Sequence, residues 1–121
     1  MVASFSFDVD PALSLVRITM AGFFEEQDLA HFVAAQDEAY TALRCAPNTH
    51  VTLVDIRDMQ IQSQASVSAF RERLSDRRVA ARRIAFVVSR SLARGQIIRA
   101  AETVNAKFFT DPEQALTWLL A

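Results

Sequence analysis

The side chains in this sequence best placed for chemistry are the polar residues that follow its apolar runs. Asp55, Arg57, Asp58 and Ser63 follow residues 51–54, Ser89, Arg90 and Ser91 follow residues 84–88, and Thr110 and Asp111 follow Phe108-Phe109. If those runs are parallel strands of an open sheet, the polar groups gather beyond the strands' carboxyl ends, where such sheets bind ligands. Ser91 also suits the N-cap of a following helix, whose free amides and positive dipole attract an anion, and Arg90 and Arg94 can reinforce it. Asp55, Arg57, Ser63, Ser89, Arg90, Ser91 and Arg94 are therefore the candidate ligand- or anion-binding residues. Capping and surface ion pairing are the plain alternative. Asp55 beside Arg57 points to an ion pair or a loop-amide bond before general-base work.

No catalytic constellation accompanies them. His31 lies mid-helix and His50 opens a strand, with no nucleophile or metal-ligand spacing near either. Cys45 is the single cysteine, so no internal disulfide is expected. Gly22 and Gly95 are the only glycines and neither sits in a phosphate loop or dinucleotide fingerprint. The expectation is a non-enzymatic protein with no catalytic residues, no cofactor and no metal.

The elements that must hold these groups fit one domain spanning 1–121, because 121 residues bury one core and are too few for two. The apolar fraction of 51% and charged fraction of 22% are those of a globular chain. Apolar runs fall far short of the ~20 residues that cross a bilayer. The start, Met1-Val2-Ala3-Ser4-Phe5, lacks the basic and apolar pattern of a secretory signal, so a cytoplasmic location is expected.

Periodicity supplies the element order. Residues 4–9 and 13–21 alternate apolar with polar types around Asp10-Pro11-Ala12, an antiparallel hairpin. Leu29, Phe32, Val33, Tyr40 and Leu43 recur at helical spacing, with Glu25, Glu26 and Asp28 at the positive end and Ala46-Pro47-Asn48 as a stop, predicting a helix over 25–45. A buried strand at 50–56 makes a parallel crossover. A helix over 64–77 turns Val67, Phe70 and Leu74 inward, and a strand follows at 83–89. A third helix carries Leu92, Ile97, Ile98 and Ala101, with Gly95 read as serving conformation or packing. A short strand at 106–110 and a last helix capped by Asp111 with Pro112 in its first turn complete the chain. The fold class is α/β, a single mixed sheet with packed helices in the order β-β-α-β-α-β-α-β-α.

That order resembles the STAS fold of anti-sigma-factor antagonists, and more specifically the bacterial SpoIIAA-like family, grouped with CRAL-TRIO-type lipid-binding domains. The likeness is carried by Ile18-Thr19-Met20-Ala21-Gly22-Phe23-Phe24, by residues 51–59 and Ile61-Gln62-Ser63-Gln64, and by Ala85-Phe86-Val87-Val88, Ser91-Leu92-Ala93-Arg94-Gly95-Gln96 and Ala115-Leu116-Thr117-Trp118-Leu119. In the antagonists the matching strand leads to an Asp-Ser-Ser-Gly turn with a phosphorylated serine. Here Ile61-Gln62-Ser63-Gln64-Ala65 lacks the acid and the glycine, and Ser63 falls beside the phosphorylated position.

The resemblance implies an interaction or regulatory module acting through protein contacts, a homodimer among them. The alternative is a carrier or sensor of a small apolar or amphipathic anion, with its carboxylate at Arg90, Arg94 and the Ser91 amides. Charge is lopsided: residues 1–70 carry nine acids against three arginines, whereas residues 71–99 carry nine arginines against Glu72 and Asp76, a local net charge of +7. Acidic and basic regions of this kind can pair between protomers. Nucleic acid is disfavoured because the net charge is −1 and no recognition helix or basic-aromatic interleaving occurs. The nine phenylalanines serve a core or line a lipid pocket; in Phe108-Phe109 strand alternation sends one ring to each face.

Overall fold

The computed structural model of the chain describes residues 2–89, 92–101 and 105–121. Nine elements follow one another: β1 (Ser4–Asp10), β2 (Leu15–Gly22), α1 (Glu26–Thr41), β3 (Val51–Met59), α2 (Gln64–Ser75), β4 (Arg83–Val87), α3 (Leu92–Ala100), β5 (Ala106–Phe109) and α4 (Pro112–Leu120). They form one five-stranded sheet in the order β1-β2-β3-β4-β5, with β1 antiparallel to β2 and every later pair parallel. No described helix is long and apolar enough to cross a membrane.

Each boundary has a local cause. Asp10 turns the hairpin as its carboxylate accepts from the Leu13 amide at 3.3 Å, and Ser14 adopts a positive φ of 49°, so β2 begins at Leu15 rather than at 13. In α1, the Asp28 carboxylate accepts from the Glu25 amide at 2.8 Å. Its last turn tightens into bonds from Ala42 to Ala39 and from Leu43 to Tyr40, and Arg44 then leaves helical space with φ 54°. The helix therefore stops at Thr41, short of the expected 45. Asp111 caps α4 through the Glu113 amide at 2.9 Å, with Pro112 in the first turn as expected.

A second departure is in β3, which runs three residues beyond the predicted 56. The β2–β3 register slips between Thr19 and Ala21, which face Asp55 and Asp58, so an extra β3 residue is accommodated and pairing continues to Gly22 and Met59. Charged Arg57 and Asp58 hid this extension from a hydropathy reading. Conversely, β4 ends at Val87 and not at 89, and α2 ends at Ser75 and not at 77.

Helices α1, α2 and α3 cover one sheet face and α4 the other. The first face carries Val16, Ile18, Met20, Val54, Ile56, Ile84 and Phe86, packed with Phe24, Phe32 and Phe70. The second is smaller, joining Leu15, Val51, Leu53, Ala85 and Val87 to Ala115 and Leu119 of α4. Strand β3 lies between both layers, which accounts for its near-continuous apolar sequence. Phe108 stacks on Phe86 and Phe109 meets Trp118 on opposite faces, as alternation requires.

In α3, Ile98 is exposed, and the expectation for Gly95 fails. A Cβ on Gly95 would meet nothing within 4 Å and its backbone is helical, so neither packing nor conformation requires a glycine there. Gly22 is the opposite case, with φ +84° and a would-be Cβ 2.4 Å from the Val2 carbonyl oxygen.

Candidate functional site

The residues proposed from sequence divide into three groups. Asp55 and Arg57 sit inside β3, not beyond it, and bind each other: Arg57 Nε and Nη2 donate to the Asp55 carboxylate at 3.0 and 2.7 Å. Burial alone would push the Asp55 carboxyl up, but the Arg57 side-chain and main-chain bonds, together with its charge, outweigh this and hold it below the usual carboxylate value. Ser89 Oγ donates to the Arg57 carbonyl at 3.1 Å and joins the same cluster. Ser63 stands apart as the N-cap of α2, accepting from the Ser66 amide at 3.2 Å and donating to its hydroxyl at 3.1 Å. Arg90 and Ser91, and the side chain of Arg94, lie outside the described residues.

The arginine-rich stretch does not converge on one feature among the described residues. Arg73 reaches Asp37 on α1, Arg78 closes on Asp76, and Arg71 donates to the Arg99 carbonyl across α2 and α3. Arg83 crosses to the α4 side, donating to the Trp118 carbonyl at 2.8 Å with its guanidinium 5.2 Å from the indole centroid. Among the described residues, no group of three or more His, Cys, Asp or Glu is arranged to hold a metal ion.

A concave feature with an apolar lining lies elsewhere, under α1 and α2. A cavity of about 70 Å³ opens between these helices and the sheet face carrying Ile18, Val54 and Phe86. Its floor comes from β2, β3 and β4 and is apolar except for Thr52, which is 4% exposed and whose hydroxyl has no partner among the described residues. The strand alternation that sends Val54 and Ile56 to this face sends Thr52 with them. Leaving a buried hydroxyl unpaired costs about 1–3 kcal/mol, so Thr52 gains from any polar group that enters.

Three more polar residues close the same end. Gln36 and Tyr40, one helical turn apart on α1, are joined by a 2.8 Å bond from Gln36 Nε2 to the phenol oxygen. Arg73 of α2 donates from Nε to Gln36 Oε1 at 2.6 Å and from Nη2 to Asp37 at 2.5 Å, tying the two helices together at the mouth. Burial pushes the Tyr40 phenol up to about 12, the Asp37 charge adding to the effect while Arg73 and the Gln36 bond oppose it. Behind Tyr40, with ring centroids 5.0 Å apart, His50 is buried and its Nε2 has no partner among the described residues; desolvation lowers its pKa.

A second polar construction anchors the opposite end. Gln62 is buried, accepts from the Phe24 amide at 2.8 Å, and donates to the carbonyls of Gly22 and Gln60 at 2.9 and 2.6 Å. Ser66 adds a 2.8 Å bond to the Phe24 carbonyl. Every group of this network is satisfied, so it fixes the loops leading into α1 and α2 rather than offering a binding site.

This architecture, a five-stranded mixed sheet with three helices on one face and one on the other, is a SpoIIAA-like fold. It is similar to the crystal structure of an uncharacterized DUF3478-family protein with a SpoIIAA-like fold from Shewanella loihica, at a TM-score of 0.75 and 16% identity over 98% of this chain and 96% of that one. The sequence matches no protein-family model and no curated protein.

Proposed function

We propose that the protein is a non-enzymatic binding module that holds a small, mainly apolar molecule in the cavity beneath α1 and α2. The observation that carries this reading is the unpartnered Thr52 hydroxyl in an otherwise apolar floor. Small-molecule sites have this composition, an apolar lining with few polar groups that fix orientation. The test is an NMR titration of labelled protein with isoamyl alcohol, a compact apolar chain ending in one hydroxyl. Shifts confined to amides around Thr52, Val54 and Phe86, and lost when Ala100→Leu fills the cavity, are the expected result. Shifts elsewhere, or shifts that survive Ala100→Leu, would remove the cavity as the site.

A second reading, regulation through protein contacts including self-association, is favoured by one separate observation. Val2 bridges to Phe23, and Gln60 bonds to the Gly22 carbonyl, which brings Ile61 alongside. All three apolar side chains are exposed. Sedimentation velocity over a concentration series tests it: association weakened by Phe23→Ser with Ile61→Ser supports this surface, and a concentration-independent monomer counts against self-association.

A further inference from the structure

We infer that the polar end of the cavity is a carboxylate site, and that its occupant is a short branched-chain monocarboxylate of the size of isobutyrate or isovalerate. The inference rests on the cavity being the binding site, as proposed above.

Among the described residues that line that end, two hydroxyl protons are unspent; the unpartnered Nε2 of His50 lies behind Tyr40 and does not line the cavity. Both ends of the Gln36 amide are used, its oxygen by Arg73 and its nitrogen by Tyr40. The Tyr40 phenol accepts from Gln36, remains protonated at any ordinary pH, and finds no acceptor for its proton among the described residues. The Thr52 hydroxyl is likewise free. Two hydroxyl donors and a guanidinium therefore line the same apolar space. An alcohol or an amide answers this set partly, whereas a carboxylate is acceptor-only, has capacity for all of them, and matches the charge.

Asp37 shows that a carboxylate fits beside Arg73, and the exposures of the pair indicate which member yields. The Arg73 side chain is 15% exposed and the Asp37 side chain 57%. Asp37 returns to water at little cost, while the guanidinium at the cavity mouth needs a counter-charge. An entering carboxylate thus exchanges with Asp37, and its apolar body lies over Ile18, Val54 and Phe86. Size sets the chain: a 70 Å³ cavity is about half the ~150 Å³ that admits six-carbon benzene in an engineered core, so only a three- or four-carbon branched body enters, with the carboxylate left at the mouth beside Arg73, and a long acyl chain is excluded.

The experiment compares isovalerate with isoamyl alcohol, which share a carbon skeleton, by NMR titration of the wild type, Asp37→Asn and Arg73→Gln. Isovalerate is expected to bind at least about tenfold more tightly than the alcohol to the wild type. Asp37→Asn removes the competing charge and should tighten isovalerate about threefold without changing the alcohol; Arg73→Gln should bring isovalerate down to the alcohol's affinity. Because Arg73 also braces Gln36, Asp37→Asn at its exposed position decides the matter if Arg73→Gln fails to fold. Alcohol binding as tight as isovalerate, with no response of either to Asp37→Asn, would overturn the carboxylate site and leave the cavity reading standing. Binding of neither molecule would overturn both.

Discussion

Gln62 and Gln96 exchange a reciprocal pair of hydrogen bonds, Gln62 N–H donating to Gln96 Oε1 at 2.7 Å and Gln96 Nε2 donating to the Gln62 carbonyl at 2.8 Å. The main chain between β3 and α2 is thereby paired with α3 as a strand is paired with its neighbour. The Gln62 side chain meanwhile holds the loop before α1. One residue thus couples three helices to the end of the sheet.

Replacing Gln62 with alanine strands the Phe24 amide and the Gln60 carbonyl, leaves the Gly22 carbonyl with only its bond from the Gln60 amide, and should destabilise the fold by about 3 kcal/mol. Gln96→Ala frees only the Gln62 main chain, which is nearer solvent, and should cost about 1 kcal/mol. Denaturant unfolding of both variants checks the ranking; equal midpoints would show that the Gln62 side chain adds nothing beyond the reciprocal pair.

Thr52→Val keeps the shape of the cavity floor and removes an unpaired hydroxyl. The variant should be more stable than the wild type by about 1 kcal/mol, seen as a rise in Tm in ligand-free protein. A loss of stability would mean that the hydroxyl already has a partner in solution.

Tyr40 is the only tyrosine, so phenolate absorbance reports it alone. Its folded pKa of about 12 exceeds the ordinary 10, so between these values the unfolded chain has lost a proton that the folded chain keeps. Stability from this group is therefore complete below pH 10 and falls as pH rises to 12, by on the order of 3 kcal/mol in all. Tyr40→Phe should abolish that slope in the unfolding free energy. A phenolate transition near 10 in folded protein would contradict the burial of the ring.

The two glycines make opposite predictions. Gly95→Ala relieves the helix of its least favourable residue without any contact and should stabilise by up to about 1 kcal/mol. Gly22→Ala forces a Cβ into the Val2 carbonyl at positive φ and should destabilise by at least about 2 kcal/mol. Thermal unfolding of the pair should straddle the wild type.

Element order, the hairpin and the N-terminal cap of α4 were legible because hydrophobic period, turn chemistry and capping agree there. The cavity was not, although its signal was present. The inward spacing of Leu29, Phe32, Val33 and Tyr40 passes through Gln36, and the inward positions of β3 begin with His50 and Thr52, so polar residues stand where the period calls for apolar ones. Attention instead went to the strands' carboxyl ends, by the general rule for open sheets. There Asp55, Arg57 and Ser89 bind one another, and Ser63 caps a helix. What periodicity could not supply was the partnership of Arg73 with Gln36 and Asp37, because it joins two helices more than 30 residues apart in sequence and depends on their tertiary packing.

The strand order β1-β2-β3-β4-β5 is also the order in which a ribosome delivers the chain. Each strand, as it emerges, finds its hydrogen-bonding template already made by the segment just before it, and no gap waits for a later insertion. The hairpin of β1 and β2 can form first, and every following helix-strand unit adds to a single growing edge. Only the second layer is deferred: β3, β4 and β5 keep one apolar face uncovered until α4, the last element, arrives. A nascent chain halted before α4 thus presents Leu15, Val51, Leu53 and Val87 to chaperones as one continuous sticky surface, and release of the final turns conceals it.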